Sequence, residues 1–285
     1  MHVRRTYPYV MLGLMMGSVY MPGCSGDGEP SESTDFLAAG EPAPASRPAT
    51  DTAPATQPAE PWFPPSPPAS ADFVNERHHM VETQIARPRD GRTPVTDKAV
   101  LEAMRSAPRH VFVPPERVGQ AYFDHPLPIG HEQTISQPYI VALMTELMKI
   151  TPESKVLEVG TGSGYQAAVL GQLTPHVYTV EIIAPLAEQA AGILREQGYT
   201  NVRVRRSDGF WGWPEEAPFD AIMVTFAPEE LPEALWEQLK TGGRIVAPIG
   251  PARQTQHLMV ITKTPEGKRE TTHVIPVRFV PMLRD

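Results

Sequence analysis

A carboxylate and three glycines mark one place in this sequence where a nucleotide could bind. Glu158 stands at the end of an apolar run and is followed by Gly160, Gly162 and Gly164. Glycine leaves no Cβ to block a ligand, and it adopts backbone angles that are closed to other residues. An apolar strand, a glycine-rich turn and a helix in this order predict the nucleotide-binding corner of an α/β sheet.

Two ligand classes fit this turn. Gly162, Gly164 and Ala167 match the G-x-G-x-x-A pattern that binds dinucleotides. With Glu158, the glycines instead match the acidic-x-G-x-G-x-G turn of enzymes that use S-adenosylmethionine (SAM). A carboxylate at position 158 would repel a diphosphate, whereas it can approach the amino acid part of a cationic cofactor.

Two further carboxylates follow later predicted strands. Glu181 ends the second strand, where it can accept hydrogen bonds from the ribose hydroxyls of SAM or, equally well, of NAD. Asp208 and Gly209 follow the third strand, where a carboxylate can reach an adenine amino group. Either carboxylate alone is also explained as a helix cap or turn residue. Together with Glu158 they favour SAM.

The elements that must position these residues alternate regularly between strand and helix. Strands are predicted at 155–159, 177–181, 202–206, 219–225 and 243–249, with helices at 164–173, 184–197 and 231–240. Strands at 258–263 and 271–280 add an antiparallel edge, and helices at 73–87, 96–104 and 137–149 precede the sheet. This pattern predicts an α/β fold with a doubly wound, mostly parallel seven-stranded sheet.

Residues 122–138 form a long segment that is interrupted by prolines and mixes hydroxyl and apolar side chains. A long loop inside a compact domain is usually functional or disordered, and this mixture favours function. On the residues alone, Ser136 near its end could cap the helix that follows.

A series of motifs occurs in a fixed order along the chain. The series is LPIG at 127–130, QTISQP at 133–138, LEVGTGSGY at 157–165, SDG at 207–209, PFDAI at 218–222 and VRFVP at 277–281. It resembles the protein-L-isoaspartate O-methyltransferase family, and the similarity spans roughly residues 73 to 283. His131-Glu132 and Phe226 depart from the family pattern near the expected substrate mouth.

The resemblance implies a SAM-dependent enzyme that methylates the free carboxyl of L-isoaspartyl residues in damaged proteins. The ester then collapses to a succinimide, which starts repair. Ser136 is implied as the catalytic residue, and Ser136, Thr225 and Gln256 as substrate-binding residues. The implied cofactor-binding residues are Thr134, Ile135, Glu158, Gly160, Gly162, Gly164, Glu181, Asp208 and Gly209.

The proposed chemistry needs no strong general base, because a carboxyl with a pKa of about 4 is already ionised at neutral pH. Two other functions stay open on the residues alone. One is an envelope-anchored peptide-binding module with a vestigial SAM pocket, and the other is a small-molecule carboxyl methyltransferase. We expect the partners to be isoaspartyl proteins or peptides, and we expect a monomer.

Composition argues against two classes of site. A formal net charge of −8 is unlike a protein that grips nucleic acid through a broad basic surface. Cys24 is the sole cysteine, so the chain has neither an internal disulfide nor a cysteine-based metal site. We predict no metal and no nucleic-acid partner.

The first 72 residues differ in composition from the rest. Arg4 and Arg5, the apolar run 10–21 and Cys24 resemble a bacterial lipoprotein signal, in which the cysteine carries the lipid. Residues 25–72 are rich in proline and alanine and are predicted to be a disordered linker. We therefore divide the chain into a signal at 1–24, this linker and a methyltransferase domain at 73–285. The signal indicates the cell envelope, whereas the resembled family is usually cytoplasmic.

Overall fold

The computed structural model describes residues 73–284, so the predicted signal and linker lie outside the described residues. Within 73–284, no helix combines the length and the apolar character needed to cross a membrane. The helices are α1 (Val74–Met80), α2 (Lys98–Ser106), α3 (Pro138–Met148), α4 (Tyr165–Gly171), α5 (Ala184–Glu196) and α6 (Glu233–Glu237). The strands are β1 (Leu127–Gly130), β2 (Gln133–Ile135), β3 (Lys155–Val159), β4 (His176–Glu181), β5 (Val202–Arg206), β6 (Phe219–Val224), β7 (Leu239–Ile249), β8 (Gln256–Lys263) and β9 (Arg269–Val277).

A seven-stranded sheet with the order β5-β4-β3-β6-β7-β8-β9 forms the centre of the described fold. The first five strands in this order run parallel, and β8 and β9 pair antiparallel at one edge. Apolar side chains from both faces of the sheet form two buried clusters, which matches helices packed on both sides. The predicted fold class is confirmed.

The order of the strands reverses at β3, which has β4 on one side and β6 on the other. Open parallel sheets bind ligands at such a reversal, outside the carboxyl ends of the strands. Val159 at the end of β3 lies opposite Val180 of β4 and Val224 of β6. This register places the residues that follow, Gly160, Glu181 and Thr225, at one level of the sheet edge.

The predicted helices before the sheet are present, with local differences. The first continues from α1 through a π-helical turn at Val81–Ile85. The second begins where Asp97 caps α2 by accepting hydrogen bonds from the backbone N–H groups of Ala99 and Val100. Both helices bury apolar side chains against the same core cluster as α3, which explains why their apolar spacing predicted them.

The prediction of a continuous loop at 122–138 was wrong in part. Leu127–Gly130 and Gln133–Ile135 pair as an antiparallel hairpin, with Leu127 opposite Ile135. His131 and Glu132 form its tip, and both have positive φ angles, of 52° and 58°. The strands are too short and too rich in proline and glycine for alternation to reveal them, so tertiary contacts decide this element.

The helix predicted at 231–240 was too long. Helix α6 covers only Glu233–Glu237, and β7 already begins at Leu239. Leu239 pairs with Phe219 of β6, and both side chains are buried. Burial of Leu239 against the sheet therefore overrides a helical spacing that would have kept the chain coiled for another turn. Strand β9 likewise ends at Val277, before the predicted limit at 280.

Candidate active site

The turn between β3 and α4 needs glycine at its first position for a steric reason. Gly160 has a φ of +102°, and a Cβ there would lie 2.3 Å from Thr225 Oγ1 and 3.1 Å from Phe226 Cδ1. Gly162 has a φ of +53° and faces only Ile129 of the hairpin, at 3.6 Å. The strand end is thus open towards the hairpin and closely packed against the chain after β6.

Gly164 is required for helix packing, unlike Gly160 and Gly162, which lie at the open end of β3. It precedes the first residue of α4 with a φ of +89°, and a Cβ there would lie 3.2 Å from Ala190 Cβ and 3.4 Å from Leu194 Cδ1. The position therefore allows α4 to pack closely against α5. Gly164 does not line the cavity that the neighbouring residues enclose.

Glu158 is fully buried near the end of β3. Its Oε2 accepts a hydrogen bond of 2.5 Å from Thr179 Oγ1, whereas its Oε1 is buried and has no hydrogen-bond partner. Burial raises the pKa of Glu158 to about 8, the Thr179 hydroxyl opposes this rise, and the charge of Glu181 adds to it. A buried oxygen without a partner on the wall of a cavity indicates a place for a ligand's donor group.

Glu181 is the last residue of β4, the strand that pairs with β3 beside Glu158. Its Oε2 accepts a hydrogen bond from the backbone N–H of Gly162 at 2.8 Å, and its Oε1 accepts one from Ile183 at 2.9 Å. The side chain is nearly buried. Two backbone donors fix this carboxylate in place, and each oxygen keeps a further lone pair for a ligand.

Asp208 and Gly209 lie at the end of β5 in a short 3-10 turn. Asp208 accepts hydrogen bonds from the backbone N–H of Phe210 and from Arg284 Nε, both at 2.9 Å. A Cβ at Gly209 would lie 2.5 Å from Val159 Cγ1, so glycine permits close packing on β3. Gly209 lines the same cavity as Glu158, whereas the Asp208 carboxylate is paired with Arg284 beside it.

These residues surround a cavity that we call the inner cavity. Its wall brings together most of the residues that the sequence predicted, in a single site at the reversal of strand order. The predicted residues on this wall are Thr134, Ile135, Ser136, Glu158, Gly160, Gly162, Glu181, Gly209 and Thr225.

A second depression, which we call the outer groove, opens beside the inner cavity. Its walls come from the hairpin, the start of α3, Thr255 and the segment 276–280. The inner cavity and the outer groove share four wall residues, and so they meet there. The shared residues are Thr134, Ser136, Thr225 and Val280.

Ser136 occupies the two-residue link between β2 and α3. Gln137, not Ser136, holds the N-cap position of α3, and the Gln137 side chain makes no capping hydrogen bond. The link is anchored by Asp124, whose backbone oxygen accepts from Gln137 Nε2 at 3.0 Å and whose Oδ1 accepts from Tyr139 N at 3.3 Å. The capping alternative for Ser136 is thus not realised, and Ser136 lines both the inner cavity and the outer groove.

Thr225 and Gln256, the other two predicted substrate residues, are placed differently. The Thr225 hydroxyl donates to the backbone oxygen of Gly160 at 2.6 Å, which ties this side chain to the turn after β3. The Gln256 side chain is buried and lines neither cavity. Its amide binds the backbone oxygen of Pro251 and the backbone N–H of Phe279, each at 3.0 Å, so Gln256 supports the groove wall from behind.

Several residues of the inner cavity wall were not predicted from the sequence to lie there. Phe226 was expected near the substrate mouth, but it lines the inner cavity between Gly160 and Gly209. Val280 and Leu283 also line this cavity, because the backbone N–H of Ala227 binds the oxygen of Val280 at 2.8 Å. The VRFVP motif could have signalled Val280, whereas no motif marks Leu283. His131 and Glu132 are exposed and line neither cavity.

Charged side chains around the site do not form a metal-binding set. Among residues 73–284, no group of three or more histidine, cysteine, aspartate or glutamate side chains is placed to hold a metal ion. The carboxylates near the inner cavity are instead held by backbone N–H groups, a hydroxyl and Arg284. These partners suit an organic ligand with its own donors.

Comparisons with known proteins agree with this geometry. The family model of protein-L-isoaspartate(D-aspartate) O-methyltransferase matches residues 80–285. A protein-L-isoaspartate O-methyltransferase of Opitutus terrae is 56% identical over 74% of this chain and 88% of that protein. Another from Gloeobacter violaceus is 54% identical over 72% of this chain and 98% of that protein.

A solved structure shows the same fold. It is named as a protein-L-isoaspartate O-methyltransferase of Plasmodium falciparum in complex with S-adenosyl-L-homocysteine. It is 24% identical to this chain, covers 73% of this chain and 99% of its own, and has a TM-score of 0.63. The family model and the two bacterial relatives show that the chain belongs to the protein-L-isoaspartate O-methyltransferase family.

Proposed function

We propose that this protein transfers a methyl group from SAM to the free carboxyl of L-isoaspartyl residues in damaged proteins and so starts their repair. The observation that carries the proposal is the junction of the inner cavity with the outer groove at Ser136 and Thr225. A buried site for a cofactor thus opens into a surface groove at one place, as a transfer between a small molecule and a polypeptide requires.

The inner cavity fits SAM better than a dinucleotide. Glu158 and Glu181 both line it, and Glu158 Oε1 is a buried acceptor without a partner. Two carboxylates in a low-dielectric site repel a diphosphate and attract an ammonium group, since charge interactions strengthen as water is excluded. Glu158 would therefore hold the amino acid end of SAM, Glu181 the ribose hydroxyls, and Gly160 and Gly162 would leave room for the ligand.

We assign the opposite end of the cofactor to the chain after β5. Gly209 offers a backbone surface on the cavity wall, with the Phe226 ring beside it. Asp208 is kept next to this surface by the Phe210 N–H and Arg284. The arrangement suits an adenine base, which needs a flat apolar contact and an acceptor for its amino group.

The outer groove is the place for the damaged polypeptide. Its walls combine apolar residues such as Ile140 and Phe279 with hydroxyls at Thr134, Ser136 and Thr255. The groove is open along the surface, so it can take a chain that continues on both sides of the modified residue. This openness favours a protein substrate over an enclosed small molecule.

Bound SAM supplies a methyl group on a sulfonium, which is an electrophile for a carboxylate. The residues of this chain need only orient the carboxylate and keep water from it. The Ser136 hydroxyl can donate one hydrogen bond to one carboxylate oxygen and leave the other free to react. Buried Ile135 and half-buried Val280 flank the junction and exclude water. Because the carboxylate is ionised at neutral pH, the site works without a general base.

The test is a comparison of two peptides that differ at a single linkage. The full chain is incubated with methyl-labelled SAM and either an isoaspartyl peptide or the matching aspartyl peptide. We expect base-labile label in the isoaspartyl peptide alone. Equal labelling of both peptides, or of neither, would reject the proposed function.

We further propose that the chain acts as a monomer at the cell envelope without a nucleic-acid partner. The basic residues Arg4 and Arg5, the apolar run 10–21 and Cys24 support an export signal with a lipid on the cysteine. Mass spectrometry of the mature N-terminus tests the anchor, since an intact Met1 contradicts it, and light scattering tests the monomer.

A further inference from the structure

A row of hydroxyl groups lies behind Glu158 on the inner cavity. Thr179 Oγ1 donates to Glu158 Oε2 at 2.5 Å, and Thr161 Oγ1 lies 2.7 Å from Thr179 Oγ1. Thr179 is 0% exposed and Thr161 is 3% exposed. Both hydroxyls are shielded from solvent, so bulk water cannot replace these hydrogen bonds. The two hydroxyls therefore contribute to the electrostatic environment of Glu158.

The hydrogen atoms in this row have a single direction when Glu158 is charged. A hydroxyl has one hydrogen to donate, so Thr179 can give it to Glu158 only while accepting one from Thr161. The direction is therefore Thr161 to Thr179 to Glu158 Oε2. Glu158 Oε2 thus accepts a hydrogen bond from Thr179, and Glu158 Oε1 is the carboxylate oxygen without a partner.

We propose that Thr179 is a positioning residue for cofactor binding, whose hydroxyl, supported by Thr161, stabilises the charged form of Glu158 and keeps Oε1 available to the ammonium group of SAM. This inference rests on the function proposed above. It assigns a role to Thr179, which does not line the inner cavity and acts through Glu158, and to Thr161, which supports Thr179 and also lines the cavity.

The surroundings of Glu158 explain why such support is needed. Burial and the charge of Glu181 both raise the pKa of Glu158, and the Thr179 hydroxyl is the group that lowers it. From the other neighbouring strand, Glu158 is faced by apolar Met223. Glu181 itself is held in place by backbone donors from Gly162 and Ile183 and cannot turn away. Without Thr179, nothing in this set opposes protonation of Glu158.

The inference is tested by replacing the hydroxyl with a methyl group of similar size. SAM binding to the full chain is measured by calorimetry for wild type, Thr179→Val and Thr179→Ser. We expect Thr179→Val to weaken binding roughly tenfold or more near neutral pH, as loss of a hydrogen bond to a charged group implies. Thr179→Ser keeps the hydroxyl and should stay within about threefold of wild type.

A matched control removes a buried hydroxyl elsewhere. Thr174 is also 0% exposed, and its Oγ1 donates to the backbone oxygen of Ser154 at 2.6 Å before the start of β4. Thr174→Val should therefore lower the unfolding free energy, as Thr179→Val does, by the loss of one buried hydrogen bond. The lost bond lies at the end of β4 that is away from Glu158. We expect its SAM affinity to equal that of wild type.

The pH dependence separates positioning of a charge from a packing defect. Because Thr179→Val should raise the pKa of Glu158 further, the ratio of variant to wild-type Kd should be large at about pH 6.5 and clearly smaller at about pH 9. Taking this ratio cancels the titration of the ammonium group of SAM itself. A ratio that is constant across pH indicates packing alone and overturns the inference.

Two further outcomes are decisive. Equal SAM affinity of wild type and Thr179→Val overturns the inference while leaving the proposed function standing. Failure of wild type to bind SAM at all rejects the proposed function and the inference with it. Should Thr179→Val not fold, Thr161→Val tests the same row with Thr179 in place, and an unchanged Kd and pH profile there contradicts the proposed direction of donation.

Discussion

The inner cavity and the outer groove share a junction but are built from different parts of the chain. The carboxylates of the inner cavity, Glu158 and Glu181, are buried at the carboxyl ends of parallel strands β3 and β4, and Thr225 follows the end of β6. The walls of the outer groove come from residues 126–140, Thr255 and residues 276–280, which are distant in sequence. Many of these groove residues are exposed or half-exposed.

This difference corresponds to the two ligands that the protein must accept. One cofactor of constant shape is bound by carboxylates that backbone donors and hydroxyls hold in place. Damaged polypeptides vary on both sides of the modified residue, so their site needs an open groove with few specific contacts. Substitutions in the inner cavity should therefore alter folding and cofactor binding. Substitutions in the outer groove should alter only the binding and methylation of the peptide.

The largest effect is expected from Gly160→Ala. The added Cβ would lie 2.3 Å from Thr225 Oγ1, and the φ of +102° is unfavourable for alanine. We expect a loss of unfolding free energy of about 3 kcal/mol or more and no measurable SAM binding. Urea unfolding and calorimetry measure the two effects.

Gly192→Ala is the matched control for this change. Gly192 lies in α5, and a Cβ there would have no atom within 4 Å. Alanine is the better helix former, so this variant should gain roughly 0.5–1 kcal/mol in unfolding free energy and bind SAM normally. Normal SAM binding by Gly160→Ala would contradict the steric account of the turn.

Glu158→Gln should separate folding from cofactor binding. In the folded protein the pKa of Glu158 is raised to about 8 from the ordinary value of 4.5, so the folded state holds the proton more tightly than the unfolded state. Stability of the ligand-free wild type should therefore fall as pH rises from about 5 to about 8, by on the order of 4 kcal/mol.

In Glu158→Gln this loss of stability should disappear, because glutamine does not titrate. SAM binding should weaken at least tenfold near neutral pH, since the ammonium group loses its charged partner. The measurements are urea unfolding across this pH range and calorimetry with SAM. An identical pH profile of unfolding in wild type and variant would show that Glu158 does not titrate as proposed.

Ser136→Ala tests the groove side of the junction. Removal of the hydroxyl should lower kcat/KM for an isoaspartyl peptide roughly tenfold to a hundredfold, as loss of a hydrogen bond to a carboxylate implies. SAM affinity and unfolding free energy should stay close to wild type, because Ser136 neither caps α3 nor lies in the buried core. A parallel loss of SAM affinity would show that the two sites are not separable there.

The smallest effect is expected at the tip of the hairpin. Glu132 has a φ of 58°, which glycine adopts without strain, and its side chain lines neither cavity. Glu132→Gly should therefore raise the unfolding free energy by about 1 kcal/mol and leave SAM affinity unchanged. Glu132→Ala, which removes the same side chain and keeps a Cβ, is the control, and an equal gain there would exclude relief of backbone strain.

Much of the fold and of the inner cavity could be predicted because the signals are local. Glu158 and Gly160 lie within one turn, and an apolar run before them predicts the strand that ends there. Parallel strands bring their carboxyl ends to one edge of a sheet, so Glu181 and Asp208 could be added by chain order alone. The family motifs then supplied Thr134, Ile135 and Ser136 as one group.

The remaining parts depend on contacts that no short window of sequence contains. Phe226 was assigned to the substrate mouth, but close packing against Gly160 and Gly209 turns it to the inner cavity. Gln256 was assigned to the substrate, but the backbone groups of Pro251 and Phe279 bind its amide beneath the wall. In both cases the side chain follows a buried contact that forms only when distant strands pair.

The sequence by itself determined which segments of the seven-stranded sheet and its helices follow one another along the chain. It also determined the glycine turn and the acidic residues near it. These features follow from apolar spacing and from local backbone freedom. Only the tertiary structure decided how these residues work. It buries Glu158 beside Thr179 and Glu181 of β4, leaves one carboxylate oxygen without a partner, and brings residues 276–280 and the hairpin to one groove. Burial and charge at a site depend on all strands that meet there, and so they arise only in the folded chain.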